Sequence, residues 1–268
     1  MSDALRLGLV QMYVEPGDKR ANLARAKEMI ARAASGGAQV VVLPEAMDCG
    51  WTHPSARTVA SAVPGGDTFE LLSGAARNHR VSVCSGLIER HDDRLYNAAV
   101  LIDPAGNLLL HHRKLNELDI AHDLYAQGDR LGVAHTPLAT FGLMVCADSF
   151  ATGHVVSRTL GLMGADVILS PSAWAVAADH DNARNPYGKV WRECFIPVAK
   201  EFGLWIVGVS NVGPITAGPW AGRKCIGCSL VVGPQGNEVL QGPYGEDAEA
   251  VLFVDVSPHD RGVRGSTW

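Results

Sequence analysis

Residues 40–45 read Val40-Val41-Val42-Leu43-Pro44-Glu45. Four apolar residues in a row, most of them β-branched, are typical of a strand that is buried on both faces. Pro44 cannot donate a backbone hydrogen bond, so it ends the strand. Glu45 is therefore predicted at the carboxyl edge of a sheet, which is where α/β proteins place their active sites.

Strand and helix patterns alternate on both sides of this stretch. Strands are predicted at residues 5–11, 81–88, 167–169 and 204–210, and helices at 22–34, 69–79 and 153–163. Strands at 96–102 and 107–112 are joined by the turn Asp103-Pro104-Ala105-Gly106, which indicates a mixed sheet. An apolar stripe predicts one more helix and consists of Trp191, Phe195, Val198 and Phe202. We expect a single α/β domain over residues 1–268, with two sheets packed face to face and helices outside.

The overall composition limits the classes of function. The chain has 268 residues, of which 47% are hydrophobic and 19% charged, as in soluble globular proteins. Its net charge is -5 and its 23 basic residues are scattered, so no cationic surface for nucleic acid is expected. The first residues lack a secretion leader, and no apolar run approaches the ~20 residues that cross a bilayer. The sequence thus predicts a cytoplasmic protein that binds neither nucleic acid nor membrane.

Six cysteines occur in this chain without an export signal, so we expect reduced thiols, most of them buried. Cys225 and Cys228 have the spacing of a metal or redox pair, but no second pair matches it. The sequence contains no His-Glu-x-x-His motif, phosphate-binding loop or dinucleotide fingerprint. We therefore expect neither a metal nor an organic cofactor.

Two further segments place reactive side chains after predicted strands. Residues 111–115 read His-His-Arg-Lys-Leu, a basic run that by itself is typical of a solvated edge. Residues 142–149 read Gly-Leu-Met-Val-Cys-Ala-Asp-Ser, so Cys146 ends a predicted strand at 143–146 and precedes a helix. Such a bend exposes a nucleophile and directs the next backbone N–H groups at the site. Taken alone, Cys146 is more often a buried core thiol.

The chain resembles the nitrilase superfamily of carbon–nitrogen hydrolases in three short motifs. These are Glu45 after Leu-Pro, Lys114 after Arg, and Cys146 within Val-Cys-Ala-Asp. The resemblance extends from residues 7–11 to the hairpin at 233–236. It implies a four-layer αββα sandwich, a small-molecule amide-type substrate, and a homodimer or higher homo-oligomer. It also implies that Cys146 is the nucleophile of a thioester route, Glu45 the general base and acid, and Lys114 the group that stabilises the tetrahedral intermediate.

The three side chains suit that chemistry on physical grounds. An ammonium such as that of Lys114 is expected to favour the thiolate of a nearby cysteine. Attack on an amide carbon places negative charge on oxygen, which Lys114 and the backbone N–H of Ala147 can stabilise. Glu45 can take the thiol proton, return a proton to the departing amine and then activate water.

Two positions depart from the family pattern. Family members carry a second glutamate after the lysine, and an ungapped comparison puts that place on Ala121 or His122. Glu117, the nearest glutamate, and His122 are the two candidates for this auxiliary role. Ala147-Asp148-Ser149 follows the cysteine, which disfavours a nitrile and an N-carbamoyl amino acid. A small amide, or an N-acyl or N-carbamoyl amine, remains as substrate.

Trp51 and Trp174 lie where they can wall a substrate pocket and select an apolar or cationic group. The alternative is that both pack only against their own sheet or a partner subunit. For the whole protein, the alternatives to an amidase are a catalytically silent interaction module of the same fold and a nitrilase that acts on a nitrile. Transfer of the acyl group to an acceptor other than water is a further alternative.

Overall fold

Two six-stranded sheets lie at the centre of the molecule, as seen in a computed structural model that describes residues 4–258. The first sheet contains β1 (Leu5–Gln11), β2 (Val40–Val42), β3 (Ser82–His91), β4 (Arg94–Ile102), β5 (Leu108–Arg113) and β15 (Ala250–Val256). The second contains β6 (Val133–His135), β7 (Thr140–Leu143), β8 (Val167–Ser172), β10 (Trp205–Ser210), β13 (Leu230–Val232) and β14 (Glu238–Gln241). A small third sheet is formed by β9 (Ala175–Val176), β11 (Val212–Pro214) and β12 (Lys224–Ile226).

Both large sheets are mixed, as the sequence predicts. The first has the order β15-β1-β2-β3-β4-β5, and the second has the order β14-β13-β10-β8-β7-β6. The strands β1, β2 and β3 pair in parallel, while β3–β4 and β4–β5 are antiparallel hairpins. In the second sheet β8 pairs in parallel with both β7 and β10. Parallel strands end at the same edge of a sheet, so the segments after β2 and β7 are positioned to form a site.

The layers are helix, sheet, sheet, helix. The helices are α1 (Lys19–Ser35), α2 (Ala56–Val59), α3 (Asp67–His79), α4 (Val155–Leu162) and α5 (Lys189–Phe202). Met29 of α1 and Leu72 of α3 pack on the outer face of the first sheet. Leu9 of the first sheet shares a core with Phe141 of the second, and Phe195 of α5 also belongs to that core. The αββα sandwich is confirmed, and no helix within residues 4–258 is long and apolar enough to span a membrane.

Element boundaries differ from the prediction where the backbone adopts a left-handed conformation. The strand predicted at 143–146 ends at Leu143, and Cys146 instead begins a 3-10 turn with a φ of 44°. The helix predicted from residue 153 begins at Val155, because Gly153 and His154 have φ values of 67° and 55°. The strands β6, β9, β11 and β12 were not predicted, since two or three residues show no periodicity.

Candidate active site

Glu45 lies just beyond β2, where the sequence places it. Its side chain is buried, and Oε1 accepts hydrogen bonds from Lys114 Nζ at 2.8 Å and from Asn97 Nδ2 at 2.6 Å. Its backbone N–H donates to the carbonyl oxygen of Ser172 in the second sheet, at 3.2 Å. The carboxylate is therefore held from both sheets and is positioned before any substrate enters.

Gly86 of β3 allows the turn that carries Glu45 to approach the sheet. A Cβ atom at this position would lie 2.5 Å from Glu45 Cα and 2.8 Å from the carbonyl oxygen of Pro44. Both are backbone atoms that cannot rotate away. Any side chain at position 86 would therefore displace the carboxylate.

Lys114 directly follows β5 and is buried between two carboxylates. Its Nζ lies 2.8 Å from Glu45 Oε1 and 2.9 Å from Glu117 Oε1. Burial alone would lower the pKa of Lys114, but the charges of Glu45 and Glu117 outweigh burial and hold the pKa above its usual value. The side chain is therefore a permanent ammonium and acts as a hydrogen-bond donor rather than a base.

The structure places Glu117, and not His122, beside the lysine. Glu117 Oε1 also accepts from Trp51 Nε1 at 3.3 Å, and Oε2 accepts from Asn97 Nδ2 at 2.9 Å. The side chain of His122 is exposed, because it follows a 3-10 turn (Asp119–Ala121), and its Nε2 lies 3.2 Å from the carbonyl oxygen of Glu117. Of the two auxiliary candidates Glu117 is the one that contacts Lys114, and the auxiliary role of either residue stays a prediction.

Cys146 sits at the bend between β7 and α4, in a strained left-handed conformation. A non-glycine residue at a φ of 44° is uncommon and occurs often at functional sites. Ser149 Oγ donates to the Cys146 carbonyl oxygen at 2.8 Å and supports the turn. The residue is 8% exposed, so its side chain reaches the cavity while its backbone stays packed.

The thiol of Cys146 is protonated in the resting site. Burial is the largest cause that raises its pKa well above the ordinary value, and the charge and hydrogen bonding of Glu45 raise it further. Lys114 and the backbone N–H of Ala173 act in the opposite direction but do not compensate. Lys114 does lower the pKa of Cys146, as expected. Burial and Glu45 raise this pKa by more, so the thiol and not the thiolate is favoured.

A buried aspartate connects the lysine and cysteine segments. Asp148 Oδ1 accepts from the N–H groups of Leu115 and Asn116 at 2.9 and 2.8 Å, and Oδ2 accepts from that of Val145 at 2.8 Å. His112 Nε2 lies 2.7 Å from Oδ2. Burial alone would raise the pKa of Asp148, but these hydrogen bonds and His112 lower it. The carboxylate therefore fixes the residues that adjoin Lys114 to those that adjoin Cys146.

Cys146 opens into a cavity of about 280 Å³. Glu45, Lys114 and Ala147 form its polar end, and both predicted tryptophans, Trp51 and Trp174, line it. Further aromatic walls come from Phe150, Tyr187, Trp191 and Trp220. This volume lies just below the ~300–1,000 Å³ range of pockets for drug-sized ligands, which suits a small substrate.

Several residues of this site were not predicted from the sequence. They include Asp148 and also Asn97, which bridges the carboxylates of Glu45 and Glu117. An asparagine within the apolar run of β4 and an aspartate two residues after the cysteine were the available signals. Trp191 was predicted as core on the apolar face of α5, and it also lines the cavity. Among residues 4–258 no cluster of His, Cys, Asp and Glu has the arrangement of a metal site.

The αββα sandwich places a buried cysteine, carboxylate and ammonium around one cavity, and these groups fit a hydrolase of carbon–nitrogen bonds. The sequence pattern of the family described as carbon-nitrogen hydrolase matches residues 6–263, and the chain belongs to this family. It is 30% identical to a nitrilase of Pyrococcus abyssi over 94% of this chain and 90% of that protein. It is 29% identical to an (R)-stereoselective amidase of Pseudomonas sp. over 88% of this chain and 80% of that protein.

Solved structures of the nitrilase superfamily share the fold. A carbon-nitrogen hydrolase from Helicobacter pylori superposes with a TM-score of 0.82 at 21% identity, covering 94% of this chain and 89% of that one. An amidase from Nesterenkonia sp. AN1, with acrylamide added at its active-site cysteine, superposes with a TM-score of 0.79 at 22% identity, covering 94% of this chain and 93% of that one. The protein is therefore an enzyme with the nitrilase fold and with amidases among its relatives.

Proposed function

We propose that the enzyme hydrolyses the carbon–nitrogen bond of a small amide through a thioester on Cys146. The observation that carries this proposal is the convergence of Glu45 and Lys114, at 2.8 Å from each other, in the cavity wall that also contains Cys146. The relatives that are named amidases support the choice of an amide.

The first half-reaction acylates Cys146 and begins with transfer of the thiol proton. The Cys146 thiol is neutral at rest, so Glu45 accepts its proton as the sulfur attacks the amide carbon. The negative charge that develops on the amide oxygen is stabilised by the Lys114 ammonium and the backbone N–H of Ala147. The carbon–nitrogen bond then breaks, and Glu45 returns the proton to the departing ammonia or amine.

Deacylation uses the same groups in reverse. Glu45 takes a proton from water as its oxygen attacks the thioester carbon, the carbon–sulfur bond breaks, and the proton returns to the Cys146 sulfur. Glu117 holds Lys114 and Asn97 in place and keeps the ammonium charged in both half-reactions. The contact of Glu117 with Lys114 supports an active hydrolase over a catalytically silent module of the same fold.

Ammonia release from a panel of small amides, carbamoyl compounds and nitriles tests this function. We expect amides to be hydrolysed, and Cys146→Ala to lose that activity completely. Cys84→Ala is the matched control, because Cys84 is a buried thiol of the core between the sheets. Normal turnover by Cys146→Ala would refute the mechanism, and exclusive turnover of nitriles would refute the substrate class.

We also propose that the chain forms a homo-oligomer. Three large apolar side chains on α4 or directly after it are exposed, and they are Val155, Leu162 and Met163. Val155 and Leu162 are seven residues apart and therefore lie on one face of the helix. A second copy of the chain is the partner that would cover this face.

A further inference from the structure

One wall of the cavity is a cluster of aromatic rings built on a stacked pair, Trp174 and Trp191, and we call this cluster the stack. Trp191 lies between two neighbours, with its ring centroid 4.4 Å from that of Trp174 and 4.6 Å from that of Phe150. Tyr187 extends the stack at 6.3 Å from Trp174, and its hydroxyl oxygen accepts from Trp191 Nε1 at 2.9 Å. The rings hold each other in place, so the wall is rigid before a substrate binds.

The cavity offers no free charge to a substrate. Among the described residues that line it, the charged ones are Glu45 and Lys114, and these are paired with each other. Glu117 adds a second carboxylate to the same ammonium. A carboxylate on the substrate would thus lose its hydration without gaining a cation and would face two acidic groups.

The aromatic wall adjoins Cys146, which carries the acyl group. Phe150 belongs to the same 3-10 turn as Cys146, and Trp174 follows Ala173, whose N–H faces the cysteine sulfur. The leaving group of a primary amide is ammonia, which is too small to extend along the wall. For such a substrate the acyl group is therefore the part of the amide that contacts these rings.

We propose that the preferred substrates are amides whose acyl group is uncharged and carries an aromatic or similarly large apolar substituent. This inference rests on the proposed amidase function and specifies its substrate class. The stack supplies apolar contact and ring-edge interactions to such a group. A carboxylate end group of the same length gains neither and loses its hydration. An ammonium end group can interact with the ring faces, but it loses its hydration in a cavity that already contains the Lys114 ammonium.

The first test compares propanamide with three derivatives that carry a phenyl, a carboxylate or an ammonium group on the β-carbon. All four release ammonia, so their kcat/KM values are directly comparable. We expect the phenyl derivative to exceed each charged derivative by at least about tenfold, which corresponds to ~1.4 kcal/mol. A carboxylate or ammonium derivative that equals or exceeds the phenyl derivative would overturn the inference while leaving the amidase function intact.

The second test removes a ring from the wall. In Phe150→Ala, kcat/KM for the phenyl derivative should fall about tenfold more than kcat/KM for propanamide. Phe253→Ala is the matched control, because Phe253 is an exposed residue of β15 outside the cavity. An equal loss for both substrates would overturn the role of the stack in selection. Failure of the wild-type enzyme to release ammonia from any of the four amides would overturn the proposed function together with this inference.

Discussion

Lys114 is the residue on which the electrostatics of the site depend. Its ammonium is buried and lies within 2.9 Å of two buried carboxylates. A buried charge is tolerated when its partners are present, and removal of one partner leaves the others uncompensated. The lysine should therefore affect the stability of the fold as well as the chemistry.

We expect Lys114→Met to lower the free energy of unfolding by ~3–5 kcal/mol, because Glu45 and Glu117 lose their cation. Its kcat should fall by ~10²–10³, as is typical when one donor to a developing oxyanion is lost. Urea unfolding and steady-state kinetics measure the two effects. Lys27→Met, at an exposed position of α1, is the control and should change neither. Unchanged stability in Lys114→Met would contradict the buried ion-pair arrangement.

The positions of single site residues could be predicted where the residue comes directly after a clearly predicted strand. Glu45 and Cys146 each follow an apolar run, so the places of their side chains could be inferred, whereas Lys114 follows a basic run and was indicated by the family resemblance. The contact of Glu117 with Lys114 depends on the path of the loop after β5. The spacing of hydrophobic residues does not predict the path of a loop. The protonated state of Cys146 depends on the balance between burial and two opposite charges, which requires coordinates.

At the scale of elements, Asp148 joins the loop after β5 to the turn after β7. Its two oxygens accept three backbone N–H groups that flank Lys114 and Cys146. An asparagine has the same shape, but its amide nitrogen would face donors in place of one carboxylate oxygen. The two loops would then lose their fixed relative position.

We expect Asp148→Asn to lower kcat by roughly 10–100-fold, since small displacements of reacting groups have effects of this size. The Cys146 thiol should remain open to alkylation, which separates misplacement from unfolding. Asp103→Asn is the matched control, because Asp103 also accepts backbone N–H groups, those of Ala105 and Asn107, in an exposed turn. A wild-type kcat in Asp148→Asn would show that the connection is dispensable.

The segment after Glu45 is anchored by a second buried carboxylate, that of Asp48. Its oxygens accept from the N–H of Ile88 at 3.2 Å, and burial raises the pKa of Asp48 to about 6. The folded protein thus binds this proton more tightly than the unfolded chain does. The free energy of unfolding therefore falls as the pH rises from the ordinary aspartate pKa of 3.8 through about 6.

Asp48→Asn mimics the protonated carboxyl group and should abolish this part of the pH dependence. Between about pH 4.5 and 7.5 the wild type should lose roughly 2 kcal/mol more stability than the variant does. Urea unfolding at both pH values measures the difference. Asp93→Asn, at an exposed position, should follow the wild type. Identical pH dependence in Asp48→Asn and the wild type would contradict the raised pKa.

Long periodic elements could be predicted and short ones could not. The strand β1 has the predicted bounds, Leu5–Gln11, and α3 begins two residues before its prediction. The bend at Cys146 was predicted as a strand end, but no glycine at or directly beside Cys146 signals the left-handed backbone there. Gly153 was a visible helix breaker that the prediction included in α4.

At the scale of the whole molecule, the two sheets act as one scaffold for the site. Glu45 and Lys114 are carried by the first sheet and Cys146 by the second, so the packing between the sheets sets their separation. The shared core includes Leu9 from one sheet and Phe141 from the other, and both are fully or almost fully buried. The sequence predicted this arrangement from alternating elements, whereas the order of the strands required the structure.

The whole chain is expected to assemble with further copies of itself. The apolar face of α4 leads us to expect an even multiple of the single-chain mass by light scattering. Leu162 is 69% exposed, and Leu162→Glu should shift the mass toward the single chain. Val239→Glu, at an exposed position of β14, is the control and should keep the wild-type mass. A single-chain mass for the wild type at every concentration would contradict the assembly.

The central claim is that the acyl group passes through a covalent bond to Cys146. The most direct measurement uses Glu45→Gln with the nitrophenyl ester of a small acid, whose leaving group needs no proton. Loss of the Glu45 charge removes one cause of the raised pKa of Cys146 and leaves Lys114 to favour the thiolate, so the thiol can still be acylated, while hydrolysis of the thioester still needs Glu45. Intact-mass and peptide analysis should show one acyl group per chain, attached to Cys146 and persistent over the time in which the wild type turns over. An acyl group on another residue, or the same adduct in Cys146→Ala, would contradict the account.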